Sequence, residues 1–316
     1  MSEQSPSPSV HPAGDFVLPF DISKAGVRGR FVRLDAASSQ ALEAHALPEP
    51  AARVAGESLA LAALLGSALK LDGRLTVQTK SSGPLDIVTA DYYGSSPADG
   101  EDDEIRPRGV RGYARLDAER FAGLDGVAFA KLAGEGALAI TIEPKRGGQT
   151  YQGIVSLSPD GLAASAETYF EQSEQLPTVI RLAAAPLFVA GEKHPRWQAA
   201  GLMLQMTPEA SKAPSRGEDD WTRLSILART VEDLELVDTN LAPETVLWRL
   251  FHEDEVRVQP AEPVAFRCDC DAARITQILR GYNAEERAGL ADDDGIIRAR
   301  CEFCGTTHEI GPETLA

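Results

Sequence analysis

Four cysteines are the residues in this chain best placed to do chemistry, and all of them fall between positions 268 and 304. Cys268 and Cys270 flank one residue, Cys301 and Cys304 flank two, and 30 residues separate the two pairs. Close pairs of thiols on two turns offer four soft donors to one tetrahedral metal ion, the arrangement that Zn²⁺ favours. Four thiolates leave no open position for water, so the expected role is structural or switchable rather than hydrolytic. Iron–sulfur ligation uses the same residue type. A thioredoxin-like redox pair would need a βαβ context and a single Cys-x-x-Cys. A nucleic-acid zinc ribbon is the third alternative, and charge opposes it: residues 268–304 hold 8 acidic and 5 basic side chains, before a tetrathiolate zinc adds further negative charge. His308, four residues after Cys304, is expected to be an ordinary surface or packing residue. No nucleophile–base pairing, phosphate-cradling glycine loop or metal-hydrolase helix is recognisable, so no catalytic residue is assigned and the chain is not expected to be an enzyme.

The segment 266–316 is too small to be stabilised by apolar burial alone. Bound zinc can contribute about 10–16 kcal/mol to the folding of such a module, and its removal is expected to unfold it.

The rest of the chain must position this module. With 316 residues, 43% hydrophobic and 25% charged, it has the composition of a globular protein, and its net charge of −17 disfavours nucleic acid and anionic membranes as partners. Residues 1–14, rich in Ser and Pro and lacking a signal-like start, are expected to form a disordered tail. The apolar run 59–65 is expected to end at Gly66 and Lys70, short of a membrane span. Residues 54–71 carry apolar side chains at helical spacing, and strands are expected at 75–79, 85–90, 109–115, 137–142, 151–157, 179–184 and 202–206. Helices lie among the strands without strict alternation, which predicts an α+β core domain of mixed sheet and helix over residues 15–214. The stretch 94–107 reads as a solvated acidic loop.

Residues 215–265 differ in kind. They combine 12 acidic and 5 basic side chains with Trp221 and Trp248. Leu224, Leu227, Ala228, Val231 and Leu234 share one helical face, and Val246, Leu247, Leu250 and Phe251 repeat the pattern after Pro243. This is an amphipathic helical linker in need of a surface to cover.

Cys-x-Cys followed by Cys-x-x-Cys near the C-terminus resembles the heat shock protein 33 family of redox-regulated chaperones. The similarity extends through Gly29-Arg30 with Val32-Arg33-Leu34, His45 with Pro48, Gly56-Glu57, Lys70, Gln78, Gly83-Pro84, Arg111-Gly112-Tyr113, Tyr151-Gln152-Gly153-Ile154-Val155, Tyr169-Phe170 with Ser173-Glu174-Gln175, Gly201 with Gln205, and Leu247-Trp248-Arg249-Leu250-Phe251. Departures are Asp271 where the family has Ser, His308 where it has an aromatic, Ala200 where a second Gly is common, and the acidic loop at 94–107, which looks inserted.

The resemblance implies a cytoplasmic, ATP-independent holdase, inactive while reduced and holding one Zn²⁺ on Cys268, Cys270, Cys301 and Cys304. Under oxidative stress the same cysteines would form disulfides, zinc would leave, and residues 215–265 would open. Unfolding client proteins are then the implied partners, with Trp221, Leu224, Leu227, Trp248 and Phe251 as candidate client-binding or core-covering residues, and a homodimer favoured after oxidation. Thiolates are indeed the species that peroxide oxidises. The competing functions are a zinc-ribbon nucleic-acid binder and a thiol–disulfide oxidoreductase.

Overall fold

The computed structural model describes residues 14–69, 71–97, 105–145, 147–192, 194–212 and 214–315. The tail up to residue 13, Lys70 and the centre of the acidic loop, residues 98–104, lie outside the described residues. The chain begins with the hairpin β1 (Phe16–Ile22) and β2 (Val27–Leu34), continues through helices α1 (Ala36–Glu43) and α2 (Glu49–Ala68), and lays down β3 (Gly73–Ser81) and β4 (Leu85–Tyr93). Short strands β5 (Ser96–Pro97) and β6 (Ile105–Arg106) flank the acidic loop, and β7 (Arg108–Leu116) follows. Helices α3 (Ala118–Ala122) and α4 (Phe129–Ala133) lead to β8 (Gly136–Pro144) and β9 (Tyr151–Ser156). Helix α5 (Leu162–Tyr169) then precedes β10 (Thr178–Leu187) and β11 (Arg196–Met206). Helices α6 (Pro208–Ser211), α7 (Pro214–Arg229), α8 (Asp233–Val237) and α9 (Pro243–Phe251) precede β12 (Arg257–Val258) and β13 (Glu262–Phe266). The C-terminal part holds α10 (Ala272–Leu279), α11 (Ala284–Leu290) and the hairpin β14 (Ile297–Arg300) and β15 (Thr307–Ile310).

The main sheet runs β10-β11-β2-β1-β13-β7-β4-β3-β8-β9, with β12 beside β1. Every pairing in it is antiparallel except β13 with β7. The fold is α+β, as expected, and each of the seven expected strands is present: β11 starts six residues earlier than expected, β9 ends one residue sooner, and the others have slightly longer ends.

Helix α2 is the centre of the first core. Its Ala- and Leu-rich turns are buried nearly all round and pack on strands of both sheet halves. The helix passes through Gly66, as the 54–71 spacing predicts, and ends at Ala68, slightly before the expected Leu71; a Cβ at Gly66 would fall 2.1 Å from the Tyr92 ring, so glycine alone admits that contact. Its start also lies earlier than expected, at Glu49, with Pro50 in the first turn where a missing N–H costs nothing. By length and composition α2 could cross a membrane, but most of its apolar window is buried inside the protein, and it is a core helix.

The β10-β11-β2-β1 half is apolar on both faces. Val17, Val32, Ile180, Ala199 and Met203 face α2; Leu18, Phe20, Phe31, Val179, Leu202 and Leu204 point the other way, as period-2 alternation requires. That second face is covered by Leu224, Ala228 and Val231, then Leu236 and Val237, then Val246, Leu247, Leu250 and Phe251, all of them in the 215–265 stretch. Leu234 does not join them and is 72% exposed. Helix α7 ends at Arg229, and a capping box between Glu232 and Glu235 starts α8 in a new register that turns Leu236 and Val237 inward. The 215–265 stretch also ends in strand rather than helix: β12 and β13 enter the main sheet.

A buried arginine fastens this cover. Arg33 of β2 is 3% exposed; its Nε and one terminal nitrogen donate to the Leu236 carbonyl at 3.0 and 2.9 Å, and its other terminal nitrogen to the Leu241 carbonyl at 2.9 Å. Burial lowers its pKa to about 10, still fully cationic. By contrast β13 is held by little apolar burial, since Val264 is its one buried side chain. Burying one such side chain is worth about 1.5–3 kcal/mol, while ordering each residue costs about 1–2 kcal/mol. Strand β13 therefore depends on its anchored ends.

Replacing Arg33 by Met leaves two buried carbonyls without donors, at about 1–3 kcal/mol each. Amide exchange across residues 233–251 is expected to accelerate at least tenfold in the reduced protein; unchanged exchange would remove Arg33 from this role. Glu57 of α2 supplies a pH-dependent counterpart. Burial and the nearby Asp233 of α8 push its carboxyl up to about 7 from 4.5, against the pull of Arg53 and Arg181. The folded state therefore holds this proton more tightly than the unfolded chain. The stability it contributes is complete below pH 4.5 and lost as pH rises through about 7. Glu57→Gln is expected to stabilise the protein by about 2 kcal/mol near pH 8 and to flatten the melting temperature between about pH 5 and 8; the wild-type slope surviving the substitution would contradict this.

Candidate metal centre

Two local structures bring the cysteines together. Beyond β13, the Arg267 N–H donates to the Val110 carbonyl at 2.9 Å, and Cys268 and Cys270 follow in the loop that Asp271 ends by capping α10. Asp271, the departure at this position, accepts from the Ala273 N–H at 2.9 Å and is a competent N-cap. The second pair lies in the β14–β15 hairpin. There the Gly305 N–H donates to the Cys301 carbonyl at 2.9 Å and the Cys301 N–H to the Thr306 carbonyl at 2.8 Å. Gly305 closes the turn at φ +71°, a left-handed conformation that favours glycine.

All four sulfurs lie within 4.8 Å of one another, each half-buried. Cys268 Sγ is 3.7 Å from Cys301 Sγ, and Cys270 Sγ is 3.4 Å from Cys304 Sγ. A tetrahedral zinc with Zn–S near 2.3 Å has sulfur–sulfur edges of about 3.8 Å, so the donor set and its spacing fit that ion. Among the described residues this is the one cluster of metal-ligating side chains.

The thiols compete for charge. Burial opposes ionisation of Cys304, but hydrogen bonds to the Thr306 hydroxyl and backbone and to the Cys270 and Cys268 thiols prevail and bring it down to about 6. Burial, reinforced by neighbouring sulfurs, pushes Cys270 and Cys268 up. A divalent cation resolves the competition, because its charge allows every sulfur to deprotonate at once. His308 lies closer than a surface reading suggests: its Nε2 is 3.3 Å from Cys270 Sγ, so it packs against the cluster.

The module has a very small core of Leu279, Ile297 and Ile310, lined by Ile275, Ala291, Ala299 and Leu315. It is seated on the sheet domain by a residue that sequence reasoning missed. Phe303, between Cys301 and Cys304, lies under the Arg111 guanidinium at 3.8 Å and meets the Tyr113 ring edge-on at 5.0 Å. Arg111 is itself held by the buried Asp91 carboxylate at 2.8 Å and lies within electrostatic reach of Cys268. Beside this contact, Arg300 donates to the Ala44 carbonyl at the end of α1. The motif Arg111-Gly112-Tyr113 and the aromatic inside Cys-x-Phe-Cys were the available signals; their meeting was not readable from spacing.

The candidate client-binding residues divide by position. Leu224 and Phe251 are fully buried on the sheet face, and Trp221 and Leu227 pack at its margin. Trp248 faces outward, 66% exposed, with its ring 5.8 Å from His252.

A family model described as Hsp33 protein matches residues 15–311. The 33 kDa chaperonin of Caulobacter vibrioides (strain NA1000 / CB15N) is 36% identical over 311 residues, covering 97% of this chain and 98% of the relative. That of Escherichia coli O17:K52:H18 is 35% identical over 283 residues, covering 89% and 87%. The crystal structure of the 33 kDa chaperonin, a heat shock protein 33 homolog, from Thermotoga maritima superposes with a TM-score of 0.74 at 20% identity, covering 95% of this chain and 96% of that one, a likeness of fold.

Phe303→Ala keeps all four sulfurs and removes the seat. Cation–π and edge-to-face contacts together are worth about 1–2 kcal/mol, equivalent to about tenfold in undocking. Zinc stoichiometry is expected to stay unchanged while limited proteolysis between residues 252 and 268 accelerates about tenfold; intact resistance would show that Phe303 does not seat the module.

Proposed function

The chain belongs to the Hsp33 family of chaperones, and from that premise we propose that it is an ATP-independent holdase whose reduced form is closed and whose oxidised form captures unfolding proteins. The observation that carries this reading is the apolar sheet face of Leu18, Phe20, Phe31, Leu202 and Leu204, covered by a chain segment continuous with the cysteine module. A face of that kind, once uncovered, is a surface for unfolded chains.

In the reduced state Cys268, Cys270, Cys301 and Cys304 would hold one Zn²⁺, which supplies folding energy to a module with almost no core of its own. A thiolate attacks peroxide, giving a sulfenic acid and releasing hydroxide; a second cysteine displaces water from it, so two thiols and one peroxide yield one disulfide and two waters. Bonding Cys301 to Cys304, or Cys268 to Cys270, withdraws two donors from the cluster and removes the support of β14, β15 and the loop after β13. On this reading residues 15–214 are the chaperone core, 215–265 the linker and 266–316 the switch. The linker's acidic side chains keep the opened segment soluble while its apolar face and the sheet face engage clients. Oxidation would favour a homodimer, and the reducing cytosol would hold the closed form.

Reduced, zinc-loaded protein is expected to leave aggregation of a chemically unfolded protein unchanged by light scattering. After peroxide with mild heating it should release one equivalent of zinc to a chromogenic chelator, suppress aggregation, and lose that capacity when reductant and zinc return. Cys301→Ser or Cys304→Ser should give partial suppression without oxidant. Equal suppression by the reduced zinc form would refute the switch; salt-sensitive nucleic-acid binding or multiple turnover of a disulfide substrate would instead favour the competing functions.

A further inference from the structure

The strand of the main sheet nearest the cysteines in sequence is also the one that joins its two halves. Strand β13 lies between β1 and β7: Val17 opposes Glu262 and Phe16 opposes Pro263 on one side, while Arg108, Gly109 and Val110 align with Val264, Ala265 and Phe266 on the other. One residue, Arg267, separates it from Cys268. Its hold is slight. The Val264 N–H donates to the Asp15 carbonyl at 3.1 Å, Pro263 has no N–H to give, Glu262 pairs with Arg108 at 3.3 Å, and Val264 is the single buried side chain. The half-sheets do not depend on it for cohesion, because α2 packs on strands of both.

We propose that the slot now filled by β13 is a client-binding site, in which an extended segment of an unfolded polypeptide replaces β13 between β1 and β7. This rests on the switch reading above, since β13 leaves only when the cysteine module no longer anchors its C-terminal end. Departure bares main-chain N–H and C=O groups on two facing edges, and paired edges recruit an extended chain through its backbone, whatever its sequence. The present occupant defines the chemistry of what fits. The slot accepts antiparallel pairing on β1 and parallel pairing on β7, takes a β-branched side chain inward at the Val264 position and a half-buried apolar one at the Phe266 position, and tolerates proline on the outward face. Arg108, freed from Glu262, adds a preference for a carboxylate two residues before the buried position. A segment of an unfolding protein meets these terms; a folded surface does not.

The full-length protein, reduced with zinc and oxidised, is titrated with a fluorescein-labelled peptide of residues 259–267, which contains no cysteine, and followed by anisotropy. The oxidised form should bind at least tenfold more tightly than the reduced form, a peptide carrying Val264→Asp should not bind, and unfolded client should displace the label. In hydrogen exchange, the amides of residues 15–18 and 108–110 should lose protection at least tenfold on oxidation and regain it with client. Val264→Asp in the protein should admit the peptide with zinc still bound, and Val264→Ile should restore exclusion. An oxidised protein that has released zinc and suppresses aggregation, yet binds no peptide and keeps those amides protected, overturns this proposal alone. So does peptide binding that vanishes as the oxidised chain dimerises, which would make a second copy the occupant. An oxidised protein that keeps its zinc overturns the switch and this proposal with it.

Discussion

A β-sheet half with apolar side chains on both faces needs two covers, and everything distinctive in this molecule follows from how the second is supplied. The first is α2, a covalently central helix buried on all sides. The second is a string of short helices, α7 to α9, which share no core of their own and gain order by lying on Phe20, Phe31 and Leu204. Such a cover is weaker than one long core helix, because α8 and α9, of 5 and 9 residues, are too short to be stable alone in water, and α7, of 16 residues, gains its order largely from the face it packs on. It remains in place while its ends are tied, at one end to β11 through α6 and at the other to β12 and β13.

The C-terminal tie is where electrostatics enters. The cysteine module buries only three apolar side chains, so a metal held by its sulfurs would supply much of the stability its core lacks. It is seated on β7 through Phe303 and Arg111, and Arg111 is fixed by Asp91, 2% exposed, in the same sheet. The cation of the core thus points at the acidic, sulfur-bearing module, and charge complementarity aligns the two across a small contact. The excess of acidic groups elsewhere, reflected in the net charge of −17, favours solubility.

Much of this was legible in the residues. The seven expected strands, the cluster of Cys268, Cys270, Cys301 and Cys304, and the inward face of Val246, Leu247, Leu250 and Phe251 follow from alternation, helical spacing and thiol pairing, which are local properties. What was missed is non-local or turns on one atom. Gly66 interrupts the apolar run in sequence, yet it is where the Tyr92 ring packs against α2, in the space a side chain would take. Leu234 fits the helical face of α7 until the Glu232 capping box restarts the helix. The partnership of Phe303 with Arg111 joins positions far apart in sequence, and strand β13, with proline near its middle, has a pattern that propensity reads as loop.

The two ties respond to different insults, and that gives the architecture its logic. On the proposed switch, oxidation would act on sulfur and loosen the C-terminal anchor without touching the apolar contact between linker and sheet. Warming acts on the contact itself, since short helices lose order with temperature while the disulfide chemistry of the anchor is unaffected. The ion pairs that decorate the linker, Arg229 with Glu167, Arg181 with Asp233 and Arg223 with Asp254, have at least one partner substantially exposed and add little to either tie. Burial therefore sets the strength of the cover and thiol chemistry sets its tether, so neither stress alone removes both. On the proposed switch, full exposure of the Phe20 face would require oxidant and unfolding conditions together, the circumstance in which unfolded chains are present to occupy it.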